Sequence, residues 1–121
     1  MFKVNQMVST VENEYIQRLT QMGEVVTYTV AADLFYEGQI PVVAYLILDG
    51  HVHLLKGKKI KDTIGGGHLV GARELMNNIN AKMSAQIMPK TKVCFLSKSD
   101  IQEILDNDDQ TSEHLEELLN A

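Results

Sequence analysis

Between Glu24 and Leu96 the chain is a series of short apolar or alternating segments. Glu37-Gly38, Asp49-Gly50, Gly57, Gly65-Gly66-Gly67 and Pro89 cut them at close intervals. That rhythm leaves room for strands joined by tight turns and little room for long helices. Val26, Tyr28 and Val30 alternate with Thr27 and Thr29, as a half-buried strand requires. Leu34-Phe35-Tyr36, Val42 to Leu48, His51 to Leu55, Ile60 to Ile64, Met83 to Met88 and Thr91 to Leu96 supply further strands. One short helix is expected among them, over Val70 to Asn78, where Ala72, Arg73, Glu74, Leu75 and Met76 are good helix formers. Many short strands with glycine turns predict a β-barrel or jelly roll.

Helices are expected on both flanks. Ser9 and Glu12 have capping-box spacing, Val11, Tyr15, Leu19 and Met22 form a helical stripe with Ile16 beside it, and Gly23 supplies a stop. After the strands, Ser99 and Gln102 repeat the capping pattern ahead of Ile101, Ile104 and Leu105. Asn107-Asp108-Asp109 interrupts, and Leu115, Leu118 and Leu119 mark a last amphipathic helix. The reading is a mainly β fold with flanking helices, one domain over residues 1–121: an N-terminal helix at about 9–22, a barrel at about 24–97 and C-terminal helices at about 100–120.

Several function classes are excluded by simple counts. Cys94 is the only cysteine, so no intrachain disulfide can form. It lies in the apolar run Val93-Cys94-Phe95-Leu96 and is expected to be a buried, inert thiol in a reducing, cytoplasmic setting. The longest apolar stretch, Ile40 to Leu48, is strand-sized and broken by Pro41, so no membrane span is expected. Lys3, Asn5, Gln6, Ser9 and Thr10 leave no signal-peptide core. A net charge of −5 argues against nucleic acid as a partner. Lys56, Lys58, Lys59 and Lys61 cluster in one short stretch, whereas only acidic charges follow Lys98, from Asp100 to Glu117. The acidic end is expected to be a solvated helical surface; its docking on the basic stretch, within or between chains, is the sharper alternative.

Five local patterns, in order, resemble the cyclic-nucleotide-binding domains. Ala31 to Gln39, AADLFYEGQ, is similar to the family's strand and turn G-x-x-[IL]-F-x-E-G-[DE], with Phe35, Glu37 and Gly38 matching. Tyr45 to His53, YLILDGHVH, is similar to Y-[IL]-[IV]-x-x-G-x-V-x, with Gly50 and Val52 in place. Gly67 to Gly71, GHLVG, resembles the G-[DE]-x-[FIV]-G that opens the phosphate-binding cassette, and Ser84-Ala85 resembles its closing T-[AV]. Lys98-Ser99-Asp100 resembles the lead-in to the helix after the barrel. The resemblance covers roughly Val26 to Leu105.

The chain departs from the family inside the cassette. The resemblance implies a glutamate after Gly71, to accept a hydrogen bond from the ribose, and an arginine nine residues later, to pair with the cyclic phosphate. Ala72 and Ala81 stand there, and Asn80 replaces the family proline. Two charge-assisted hydrogen bonds are worth about 3–6 kcal/mol together, or roughly two to four decades of affinity. Cyclic AMP and cyclic GMP are therefore not expected to bind. The vestigial cassette comprises Gly67, Gly71, Ala72, Arg73, Ala81, Lys82 and Ser84. The Gly71 and Ala72 amides, at a helix start, with Arg73 or Lys82, could still hold another anion. Met76, Met83 and Met88 lie near the cassette and could pack it shut.

Histidines offer the remaining chemistry. His51 and His53 share one strand face, so a metal site is geometrically possible, but Val52 and Leu54 are the natural core face and both imidazoles are expected to point to solvent. His68 is expected in a loop and His114 on an exposed helix face. Gly65-Gly66-Gly67 lacks the Lys-Ser/Thr of a phosphate loop and is expected to be a flexible hairpin end. No catalytic arrangement, metal set or cofactor motif is found. The chain ends at Ala121, so no helix-turn-helix is expected to follow.

Three functions remain. The first is a non-enzymatic signalling adaptor that binds another protein, or a second copy, through Lys56, Lys58, Lys59 and Lys61 or through Leu115, Leu118 and Leu119. The second is a sensor of a noncanonical nucleotide or other small anion. The third, and most remote, is a cupin-like metalloenzyme using His51 and His53.

Overall fold

The computed structural model describes residues 7–120. The signal-peptide reading at Lys3, Asn5 and Gln6 falls outside these residues. In chain order the elements are β1 (Val8–Thr10), α1 (Asn13–Met22), β2 (Glu24–Tyr28), β3 (Ala32–Phe35), β4 (Ala44–Asp49), β5 (Val52–Lys56), β6 (Lys59–Ile64), β7 (His68–Val70), α2 (Ala72–Asn77), β8 (Ser84–Ile87), β9 (Thr91–Leu96), α3 (Lys98–Asp106) and α4 (Gln110–Asn120).

Two antiparallel sheets result, ordered β1-β7-β4-β9-β2 and β3-β8-β5-β6. They form the jelly-roll-like fold expected from the strand rhythm, and among the described residues no strand pairs from one sheet to the other, so the two sheets are not closed into a barrel. The edge strand β6 shows why. Lys59, Ile60 and Lys61 on it are exposed, and lysines on an edge oppose further strand pairing.

Two cores hold the layers. Between the sheets lie Phe35, Ile47, Val52, Leu54, Ala85, Ile87 and Val93, all at most 2% exposed. Between the first sheet and the helices lie Leu19, Ala44, Leu46, Leu69, Cys94, Leu96, Ile101, Ile104 and Leu115. Strand β4 feeds both, with Tyr45 and Ile47 on one face and Ala44 and Leu46 on the other. A strand covered on both faces reads as a continuous apolar run, which is what Val42 to Leu48 is. Strand β5 is covered on one face only, so Val52 and Leu54 are buried while His53 is half-buried.

Three boundaries differ from the sequence reading. Ser9 and Thr10 do not begin a helix; they extend β1, paired with Leu69 and His68 of β7. The helix starts at Asn13 after Glu12, which makes no side-chain cap. An open edge at β7 offers the N-terminal backbone a ladder, and a ladder satisfies more groups than one cap. The capping box of α3 belongs to Ser97 and Asp100, not Ser99 and Gln102: Ser97 Oγ accepts from the Asp100 N–H at 3.0 Å, and Asp100 Oδ2 accepts from the Ser97 N–H at 2.9 Å. The cassette helix is shorter than Val70 to Asn78, because Val70 belongs to β7 and Gly71 breaks the chain direction at φ +80°.

The acidic C-terminal helices fold onto the body. Ser112 and Asp109 cap the start of α4, the Ser112 N–H reaching Asp109 Oδ1 at 2.9 Å, and Arg18 of α1 lies 3.6 Å from Asp109. His114 is half-buried rather than exposed. Its Nε2 accepts the Glu12 N–H at 3.1 Å, and its ring stacks on Tyr15 with centroids 4.6 Å apart. His114→Ala removes both contacts and is expected to cost about 1–2 kcal/mol. His51→Ala, which removes an exposed ring, is expected to stay within about 0.5 kcal/mol of the parent. Urea unfolding of the two variants side by side checks the contrast. No helix among the described residues is long and apolar enough to cross a membrane.

Candidate functional site

The cassette runs from Gly67, at the end of the glycine turn, through β7 and α2 to Ser84 at the start of β8. Its opening is not a flexible hairpin end. The Gly67 carbonyl accepts the Val11 N–H at 2.9 Å, and its own N–H donates to the Ile47 carbonyl at 2.7 Å. A Cβ on Gly66 would stand 2.8 Å from the Leu48 carbonyl oxygen, so only glycine lets this turn lie against β4. His68 is in β7 rather than in a loop, with Nδ1 3.0 Å from the Gly65 carbonyl oxygen.

The start of α2 was the expected anion cradle, and half of it is spent. The Gly71 N–H donates to the Met7 carbonyl at 2.8 Å. Ala72 is 4% exposed and packs into the helix-side core with Leu75. Ala81, where the resemblance implies an arginine, is 2% exposed and packs into the core between the sheets with Phe35 and Met83. It is also strapped down: its N–H donates to the Gln39 carbonyl and its carbonyl accepts the Gly38 N–H, both at 2.8 Å. Pro41, in the same β3–β4 connection, lies against Gly71.

The other cassette residues have structural work. Ser84 Oγ accepts the Glu37 N–H at 2.8 Å. Lys82 is exposed, and its carbonyl accepts from Lys56 Nζ at 3.1 Å. Arg73 is half-buried with no hydrogen-bond partner for its buried Nε. Met83 is buried, and Met76 and Met88 are half-buried. Sequence reasoning missed Glu74. It reads as one helix former among several, yet it is 7% exposed, with no partner for Oε1. Burial holds its carboxyl above the usual carboxylate range, against the opposing pull of its own backbone N–H and the charges of Arg73 and Lys82.

The expected contact surfaces also change. Leu115 is 1% exposed and Leu118 and Leu119 pack beside it on the helix-side core, so these leucines face inward. Lys56 is paired with Glu37 at 2.8 Å, and the Gly57 N–H donates to the other Glu37 oxygen at 3.3 Å. The hydrogen bond from Lys56 holds the Glu37 carboxyl below its ordinary range. The Phe-x-Glu-Gly motif thus ties the β3–β4 turn to the β5–β6 hairpin. Lys58, Lys59 and Lys61 stay exposed around Ile60, which is itself 55% exposed.

His51 is exposed, whereas His53, expected to point to solvent as well, is half-buried. Among the described residues no group of three or more His, Cys, Asp or Glu side chains is placed to hold a metal. Cys94 is fully buried, which pushes its thiol up to about 11. A depression on α3, lined by Lys98, Ser99, Gln102 and Glu103, shares no residue with the cassette.

Comparison with known proteins places this geometry. A search of curated proteins found no match. Solved structures give many. One, from work on a cyclic-GMP-dependent signalling pathway that regulates bacterial phytopathogenesis, is 17% identical over 90% of each chain, with a TM-score of 0.79. The catabolite activator protein of Thermus thermophilus is 20% identical over 89% of this chain, with a TM-score of 0.74; this chain spans about half of it, 53%. A cyclic nucleotide-binding-like protein of Brucella abortus is 26% identical, over 77% of this chain and 84% of its own, with a TM-score of 0.66. The family model for the cyclic nucleotide-binding domain matches residues 25–108. With the strand order, the cassette and that match in agreement, the chain belongs to the cyclic nucleotide-binding domain family.

Proposed function

We propose that this chain is a non-enzymatic regulatory module that has lost cyclic AMP and cyclic GMP binding and acts by contact with another protein. The observation that carries the reading is the state of the two cassette positions. Ala72 and Ala81 bring no polar group, and both are packed into core, at 4% and 2% exposure. The Gly71 amide is already bonded to Met7, which also weakens the case for another anion at the same place.

The surface that fits a partner is the β5–β6 hairpin. Lys58, Lys59, Lys61 and exposed Ile60 combine positive charge with an apolar contact, which suits an acidic protein surface with an apolar centre. The inward-facing Leu115, Leu118 and Leu119 leave the C-terminal helix less suited to that role.

Thermal unfolding with and without millimolar cyclic AMP and cyclic GMP tests the loss of binding. A ligand at one hundred times its dissociation constant stabilises by about 2.7 kcal/mol, so a retained micromolar site would show a rise of several degrees. No rise is expected with either nucleotide, and a clear rise with one of them refutes the reading. Charge reversal of Lys58, Lys59 and Lys61 together is then expected to abolish partner recovery from the native cell.

A further inference from the structure

We propose that Glu74 is a specificity-determining residue of the cassette, whose buried carboxylate bars an anionic ligand independently of the two alanines. The inference rests on the reading that the native cassette takes no cyclic nucleotide, and it supplies a second cause for that loss.

Glu74 lies on α2 two residues beyond Ala72, in the helix that the cassette wraps. Its own carbonyl accepts the N–H groups of both Asn78 and Ile79, so the segment leading to Ala81 folds back over the same turn. Its side chain is 7% exposed and Oε1 has no hydrogen-bond partner. Arg73 and Lys82 act on it through their charge, but neither makes an ion pair with it. As a packing element a carboxyl is a poor choice here, because a buried, unpaired polar oxygen costs free energy that an apolar side chain of equal size would not. In its ionised form it would present a like charge, screened by little water, to a phosphate group bound at the cassette, and a bound phosphate would push it further toward the protonated form that burial already favours. Relief by protonating Glu74 would draw on the binding free energy. Restoring the lost glutamate and arginine therefore leaves the barrier standing.

The test is a restoration experiment on the full chain, read by calorimetric titration with cyclic AMP and cyclic GMP. The variants are Ala72→Glu with Ala81→Arg, and the same pair with either Glu74→Gln or Glu74→Met; thermal unfolding first selects those that fold. The pair alone is expected to bind weakly or not at all, and removal of the Glu74 charge is expected to tighten binding by roughly 10- to 100-fold. Equal binding by the pair and by the triple variants overturns the proposal while leaving the proposed function standing. Tight binding by the unaltered chain overturns both. If Ala81→Arg does not fold in its packed site, Ala72→Glu with Glu74→Gln, set beside Ala72→Glu alone, decides. With millimolar cyclic AMP, the amide resonances of the double variant between Arg73 and Ala85 are expected to shift where those of Ala72→Glu alone do not, and identical spectra overturn the proposal.

Discussion

Leu115→Ala is expected to lower the free energy of unfolding by about 2–5 kcal/mol without changing the oligomeric state. Leu115 is 1% exposed and lies in the helix-side core with Leu19, Ala72, Leu75 and Ile104. Truncation removes buried methyl groups and leaves a cavity walled by side chains of α1, α2 and α3, which are packed into the same core and cannot close in independently. Were the same leucine an interface residue, the outcome would be reversed. The isolated chain would keep its stability and a dimer would dissociate. Urea unfolding together with size-exclusion chromatography separates the two cases. Retained stability with a change in elution would return the C-terminal helix to its role as a contact surface.

Gly50→Ala is expected to cost about 3–5 kcal/mol, among the largest effects of any one-carbon change in the chain. Gly50 has φ +96°, in the region L side chains rarely adopt, which accounts for about 1–2 kcal/mol. The rest is collision. A Cβ there would stand 2.3 Å from Thr91 Oγ1 and 2.7 Å from Thr91 Cα. Thr91 cannot move aside: it is fully buried, and its hydroxyl joins the N–H and carbonyl of His51 at 3.0 and 3.3 Å. Gly57 is the control, with φ +62° and nothing within 4 Å of an added Cβ. Its replacement by alanine should cost only about 1 kcal/mol. Equal losses at the two positions, measured by chemical denaturation, would show that backbone conformation alone sets the cost and that the contact with Thr91 is immaterial.

What was legible in the sequence is whatever depends on near neighbours. The alternation of Val52, His53 and Leu54 fixes which side of β5 is core, and the structure agrees. A short helix after Gly71 and a strand beginning at Ser84 follow the order that the cassette resemblance implied. What depends on distant partners was not legible. Ser9 and Glu12 have the spacing of a cap, but β7, some sixty residues on, takes that backbone into the sheet. The Gly71 amide is open in any local reading and is closed by Met7 from the other end of the chain. Glu74 belongs to the same class. Nothing in Ala72-Arg73-Glu74-Leu75 shows that Glu74, rather than Arg73, is the buried charged residue. The jelly-roll-like fold was legible in the strand count and turn spacing, which say nothing about whether the last edges meet.

The pairing of β2 with β9 sets a schedule for folding. Glu24 lies opposite Phe95 and Tyr28 opposite Thr91, so β2 has no ladder partner until the ninth strand has been synthesised. On a ribosome adding about 5–20 residues each second, the first strands of this sheet wait for seconds with Val25 and Val26 uncovered. Contacts so distant along the chain also slow the search once the chain is free. The exposed flank of β2, rather than its finished core, is where association with other nascent chains would begin.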